Sequence, residues 1–225
     1  MNTTDIIEDL VKRFDEHHDA YVSGKYNETQ LRREFLDPFF ESLGWDVANK
    51  MGRSEVYKEV IHEDRVKIEE GKAQGKKILK APDYAFRIGG ARKFFVEAKK
   101  PSIKIERDMD PAYQLRCYAW SAKLPLGILT DFEEFAIYDC RVKPDKGDNP
   151  KVALIDYCTY GEYVKKWDRI ANIFSHDAVQ NGSFDKYAEG LKSKKGRVEV
   201  DDAFLVEIER WRELLAKDIA IHNPN

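Results

Sequence analysis

The sequence predicts an α/β fold, a mixed β-sheet flanked by helices. The order of hydrophobic periods is the first reason: helix, helix, strands, helix, strands, helices. The bulk available to a core is the second, since 225 residues include twelve Phe, eleven Tyr and four Trp. Third, Tyr84, Phe86 and Ile88 before a Gly-Gly turn and Phe94, Phe95 and Val96 after it read as a hairpin, followed by a helical stretch and further strands. This order suggests mixed rather than purely parallel pairing.

Composition narrows the class. Hydrophobic residues make up 42% and charged residues 35%, values of a water-soluble, core-forming chain. No apolar run approaches the roughly 18 residues of a membrane span. The opening "MNTTDIIEDLVKRF" sets acids among its apolar residues, unlike a signal or transit peptide, so a cytoplasmic protein without membrane contact is expected. Cys117, Cys140 and Cys158 are too far apart for a zinc motif and are expected as reduced core residues. A net charge of −3 does not itself mark a nucleic-acid binder, although a basic face can be offset by acids elsewhere.

Thr3 or Thr4 caps a first helix, with Ile7, Leu10, Val11 and Phe14 on one stripe, running to about Tyr21 and stopping before Gly24. Asn27 and Gln30 form a capping box for a second helix carrying Leu31, Phe35 and Phe39. It should end at Leu43, with Gly44 as left-handed cap and Trp45 packing back. Pro38 lies inside it and opposes the carbonyl of Glu34, which predicts a kink there. Residues 56–68 alternate loosely as an edge strand or hairpin arm, and "EEGKAQGKKILKAPD" reads as a basic loop.

Beyond the hairpin, Asp110 and Pro111 open a helix, with proline at its first position. "LGILT" and "EFAIYDC" are strands joined by a turn at residues 131–133, and "VALIDYC" is a further strand after a polar loop. Helices follow from Tyr160. "GLKSKKGR" reads as a linker, so residues 1–190 form one domain, and residues 191–225 a helical extension capped by Asp201 or Asp202 and running to about Ile219.

The hairpin carries the chemistry. Residues two apart in a strand share a face, so Glu97 and Lys99 point the same way as Phe95. A two-residue Gly89-Gly90 turn alone would put Asp83 on the face opposite Glu97. A three-residue turn, or an equivalent bulge, sets Asp83 directly across from Glu97, and this parity is the expected one. Facing carboxylates repel unless a cation lies between them. Mg²⁺ suits the gap because it binds through one or two carboxylates and keeps water or phosphate oxygens, and Mn²⁺ can substitute. Lys99 beside them can hold a phosphate or orient a water, which together makes metal-assisted phosphodiester hydrolysis. On spacing alone a cross-strand salt bridge is the commoner outcome. Context favours chemistry, since the acids end apolar strands where an unpaired charge is costly.

Pro82-Asp83 followed by Glu97-Ala98-Lys99 resembles the PD-(D/E)xK nuclease superfamily. "LRREFLDPFFESLGWD" resembles the helix that contributes an acid, here Glu34, in the nuclease domains of type I restriction motor subunits and fused type IIG restriction–modification enzymes. "QLRCYAW" supplies Gln114 and Tyr118 in a Q-x-x-x-Y pattern. "LGILTDFEEFAIYD" is similar to the following strand pair, although many relatives have Asn-Gly where this chain has Asp131-Phe132. "WRELLAKDIAIHNP" resembles the lead-in to the connector of the fused enzymes. The similarity covers roughly residues 30–140 and part of the C-terminal helix.

The resemblance implies a restriction-endonuclease-like fold and a metal-dependent DNA endonuclease of a restriction–modification system. It makes Asp83, Glu97 and the Ala98 carbonyl metal ligands, Lys99 the catalytic lysine and Glu34 an acid reaching the metal through water or a second ion. Gln114 and Tyr118, one turn apart, would fix Lys99 or a DNA phosphate. Lys76, Lys77, Lys80, Lys100 and Lys104, with Arg92 and Lys93, are candidates for tracking the DNA backbone. Implied partners are DNA and methyltransferase, specificity or motor domains outside this chain, with transient homodimerisation for double-strand cutting. The alternative is a catalytically silent nuclease-like module that binds DNA or a partner. The residues alone do not separate DNA from RNA. His17, His18, His62, His176 and His222 show no metal spacing.

Overall fold

The computed structural model describes residues 3–69, 77–194 and 211. The chain divides into two compact units, residues 1–184 and 185–225. Helix α1 (Thr3–Glu16) buries Ile7, Leu10 and Phe14, the predicted stripe, and the short α2 (His18–Val22) follows after a break at His17. Next come α3 (Glu28–Leu31), a π-helical turn (Arg32–Leu36) and α4 (Asp37–Ser42). Asn27 caps α3 through the predicted capping box with Gln30. The π turn lies where Pro38 opposes the carbonyl of Glu34: the ladder widens, and Arg13 donates to that carbonyl instead. Gly44 follows at φ 89°, and the buried Trp45 donates its Nε1–H to the Phe174 carbonyl at 2.8 Å.

The stretch at 56–68 yields two strands, β1 (Val60–His62) and β2 (Val66–Glu69). Part of the expected loop is also a strand, β3 (Lys77–Lys80), paired antiparallel with β2. Its flanking lysines hide the short apolar pair Ile78-Leu79 from a periodicity reading. The hairpin strands are β4 (Tyr84–Ile88) and β5 (Ala91–Ala98). Helix α5 (Met109–Ser121) is capped by Asp108, so Pro111 is its third residue rather than its first. Proline is tolerated anywhere in the first turn, whose N–H groups lack helical partners. Strands β6 (Leu126–Thr130), β7 (Glu134–Asp139) and β8 (Leu154–Thr159) follow, as predicted. Then come α6 (Tyr163–Phe174), α7 (His176–Gln180) and α8 (Ser183–Lys194), which extends into the expected linker. The expected C-terminal helix lies almost wholly outside the described residues.

Six strands form one sheet in the order β1-β4-β5-β6-β7-β8, with β5 and β6 parallel and every other pair antiparallel. This is the predicted mixed sheet, and α5 is the crossover its one parallel pair requires. The pleat sorts β5 between two layers. Phe95 packs with Leu115, Tyr118 and Ala119 of α5 and with Val66 and Ile68 of β2. Phe94 points the other way and stacks on Phe86 at 4.5 Å, within an aromatic layer that includes Trp45, Phe174 and Phe184. At Gly127 on β6, an added Cβ would meet Leu115 at 3.0 Å and Cys140 Sγ at 3.1 Å, so glycine is what lets α5 lie close to the sheet. Cys117, Cys140 and Cys158 are all free thiols. Among the described residues no helix is long and apolar enough to cross a membrane.

Candidate active site

The hairpin turn is two residues long. Gly89 and Gly90 take φ 57° and 82° between the paired Ile88 and Ala91. Alone, that turn would set Asp83 on the face opposite Glu97. Arg87 pairs with Arg92, but Phe86 pairs with Phe94, so Lys93 is an extra residue in β5. From Phe86–Phe94 the shifted register continues through Tyr84–Val96 and leads to Asp83 opposite Glu97. The expected parity is reached through a bulge.

Asp83 is held at both oxygens. Its Oδ2 accepts from the Ala98 amide at 2.8 Å and its Oδ1 from Arg32 Nη1 at 2.9 Å. Burial raises its pKa against the opposing pull of the Ala98 amide, Arg32 and Lys99. Glu97 is 3% exposed. Its Oε1 accepts from Lys99 Nζ at 2.6 Å, while Oε2 is buried without a hydrogen-bond partner. Burial, and then the charge of Asp83, push its pKa up to about 8. Lys99 in turn donates its backbone N–H to Thr130 O at 3.0 Å, tying the end of β5 to β6.

The helix acid is not the one expected. Glu34 is exposed, and its Oε2 accepts from Tyr26 OH at 3.1 Å. Glu28 shares the field of Asp83, Lys99 and Glu97, its pKa raised by burial and then by Asp83, and Glu63 also acts on Asp83. Glu28 opens α3 directly after the Asn27 cap, and Arg32 lies one turn further on. The capping box marked where this helix starts but not which of its faces meets the sheet. Gln114 donates to Tyr118 OH at 2.6 Å, so these two are joined to each other rather than to Lys99. The Tyr118 phenol is raised to about 12 by burial and by Glu97, which puts α5 against the site.

The lysines divide. Lys100 acts electrostatically on Glu28 at the rim. Lys104 pairs with Glu133, its Nζ 2.6 Å from Oε2. Glu134 accepts from the amides of Ile105 and Glu106, so the loop after β5 is strapped to the start of β7. Arg92 is likewise taken, forked onto Asp64 at 2.7 Å through two nitrogens. Lys80 is exposed on β3 and Lys77 begins that strand, whereas Lys76 lies outside the described residues. His18, His62 and His176 contact Glu133, Arg32 and Glu59 respectively, and His222 lies outside the described residues.

Among the described residues no group of three or more His, Cys, Asp or Glu is arranged to hold a metal ion. The donor set here is smaller: two carboxylates and the Ala98 carbonyl. Mg²⁺ needs no more protein oxygens than that, and the orphaned Glu97 Oε2 is a buried acceptor lacking the partner such atoms ordinarily have. The residues fit the ion.

No family model and no solved structure matches the chain. It is 41% identical over 219 residues, 97% of its length, to the type II restriction enzyme and methyltransferase RM.Eco57I of Escherichia coli. The chain spans 21% of that protein's length. Identity at this level across nearly the whole chain makes it homologous to one segment of a restriction enzyme.

Proposed function

We propose that this chain is a metal-dependent endonuclease segment of a restriction–modification enzyme, hydrolysing DNA phosphodiester bonds at Asp83, Glu97 and Lys99 as a PD-(D/E)xK site. The observation that carries the reading is the buried Glu97 oxygen without a partner, on a residue opposite Asp83 in register and bonded through its other oxygen to the Lys99 ammonium. When bound, Mg²⁺ or Mn²⁺ would polarise the phosphate and acidify a water. Asp83, pinned by the Ala98 amide, and Glu97 would hold it, with the Ala98 carbonyl. Glu97 must lose its proton to ligate, so a pKa near 8 couples ion binding to proton release. Lys99 orients the attacking water and donates to the phosphate oxygen on which charge develops. Glu28 supplies a third negative charge. DNA as substrate and a methyltransferase as partner come from the relative, a restriction enzyme and methyltransferase in one protein.

Isothermal titration of Mn²⁺ into wild type and Asp83→Asn tests the site. Heat in wild type that is lost in the variant is expected, with cleavage of plasmid DNA dependent on Lys99. Equal heats in both proteins would remove it. The second reading, a module that binds DNA without cutting, draws on the cations already seated on both acids, Lys99 on Glu97 and Arg32 on Asp83. It expects salt-dependent DNA binding indifferent to Mn²⁺ and a fall in affinity, not rate, in Lys99→Ala.

A further inference from the structure

We propose that Arg32 is a positioning residue and a built-in cation of this site, standing in charge for a second divalent ion. The inference rests on the metal-dependent reading above and assigns the site one ion. Arg32 is fixed from four directions. Nη1 lies 2.9 Å from Asp83 Oδ1, and Nη2 lies 3.2 Å from the Asp83 carbonyl and 3.0 Å from His62 Nδ1. Its guanidinium carbon sits 4.8 Å from the Tyr84 ring centre. A guanidinium cannot accept a hydrogen bond and keeps its proton at any working pH, so His62 Nδ1 must be the acceptor and the charge is permanent.

Charge decides what this permanent cation does. Asp83, Glu97 and Glu28, with Glu63 acting on Asp83, supply four carboxylates, and Lys99, Arg32 and Lys100 supply three cations. With all four acids ionised these groups carry a single net negative charge, which one divalent ion more than offsets. Without Arg32 the deficit doubles, and the Asp83 oxygen it covers becomes free to bridge towards Glu28. Arg32 therefore orients Asp83 and weakens the attraction of divalent ions to it. A residue that merely braced the fold would do the reverse, because removing it would disorder Asp83 and loosen the ion.

Calorimetric titration of Mn²⁺ alone into the whole chain separates these roles. Wild type should bind one ion, and Asp83→Asn should lose it. Arg32→Met keeps the bulk without the charge and should bind Mn²⁺ about tenfold tighter, or take up a second ion. Arg32→Lys restores a cation and should return affinity towards wild type. Weaker or unchanged binding in Arg32→Met, with binding still lost in Asp83→Asn, overturns the Arg32 role and leaves the metal site standing. No heat in wild type overturns both. If Arg32→Met melts below the assay temperature, Arg32→Gln, which keeps a neutral donor for Asp83, must show the same tightening.

Discussion

Asp83 stands opposite Glu97 because Lys93 is one residue more than β4 has to pair with. A tight turn and a bulge thus set the parity of the candidate site between them. Both turn glycines are left-handed, but they differ in surroundings. A Cβ at Gly90 would lie 2.9 Å from the Val56 carbonyl, whereas one at Gly89 meets nothing within 4 Å. Left-handed backbone costs an L-residue about 1–2 kcal/mol, so Gly89→Ala should lose about that much. Gly90→Ala should lose at least about 1 kcal/mol more, since backbone must shift to admit the methyl. Urea unfolding of the two variants checks the order. Equal losses would mean that the 47–59 segment does not brace the turn.

Glu28 and Glu34 sit on the same helical stretch and should behave oppositely. Glu28→Gln removes a charge coupled to Asp83 and Glu97, so Mn²⁺ affinity and cleavage should fall about tenfold, the lower end of the cost of losing an outer-shell partner. Glu34→Gln should leave both at the wild-type level, because its carboxylate meets Tyr26 rather than the site. A loss confined to Glu34→Gln would reverse the assignment.

Much of this was legible. The Asn27 capping box, the helix after the hairpin and the strands on either side of residues 131–133 follow from local rules about periods and caps, whereas the parity at Asp83 turned on a bulge that the two-residue turn alone does not imply. What sequence could not resolve was rotation about a helix axis. Glu34 lies in the π turn and meets Tyr26, whereas Glu28 and Arg32, before and at the start of that turn, act on Asp83. The ion-pair partners of the basic residues were hidden for a related reason. Lys104 and Arg92 find Glu133 and Asp64, acids 29 and 28 residues away respectively, and no local pattern reveals such pairings.

Phe132 holds a left-handed position in the turn between β6 and β7. It takes φ 68°, the conformation glycine favours, yet its ring is 1% exposed and packs on Phe14, Phe35, Phe39 and Tyr163. Its carbonyl accepts from Tyr163 OH at 2.7 Å. Phe132→Gly would release about 1–2 kcal/mol of backbone strain. Emptying a buried aromatic site costs about 3–5 kcal/mol, so the variant should be net destabilised by about 2 kcal/mol. A gain in stability on thermal melting would show that the backbone strain outweighs the packing.

Glu97 should give the metal-free protein an unusual pH profile. Its folded pKa of about 8 lies above the ordinary 4.5 of an unfolded glutamate. Between those values the folded chain binds a proton that the unfolded chain has released, so stability must fall as pH rises through that window. The slope from this one group approaches about 1.4 kcal/mol per pH unit in mid-window. Asp83, also raised, acts in the same direction at the acid end. Glu97→Gln has no proton to lose and keeps the neutral shape, so its melting temperature should be flatter from pH 5 to pH 8 and higher than wild type at pH 8. Saturating Mg²⁺ should raise the wild-type melting temperature more at pH 8 than at pH 5, because the ion favours the ionised pair and binds only the folded state. Glu97→Gln should lose most of that gain. Parallel melting curves for the two proteins, with and without Mg²⁺, would return Glu97 and Lys99 to an ordinary buried ion pair.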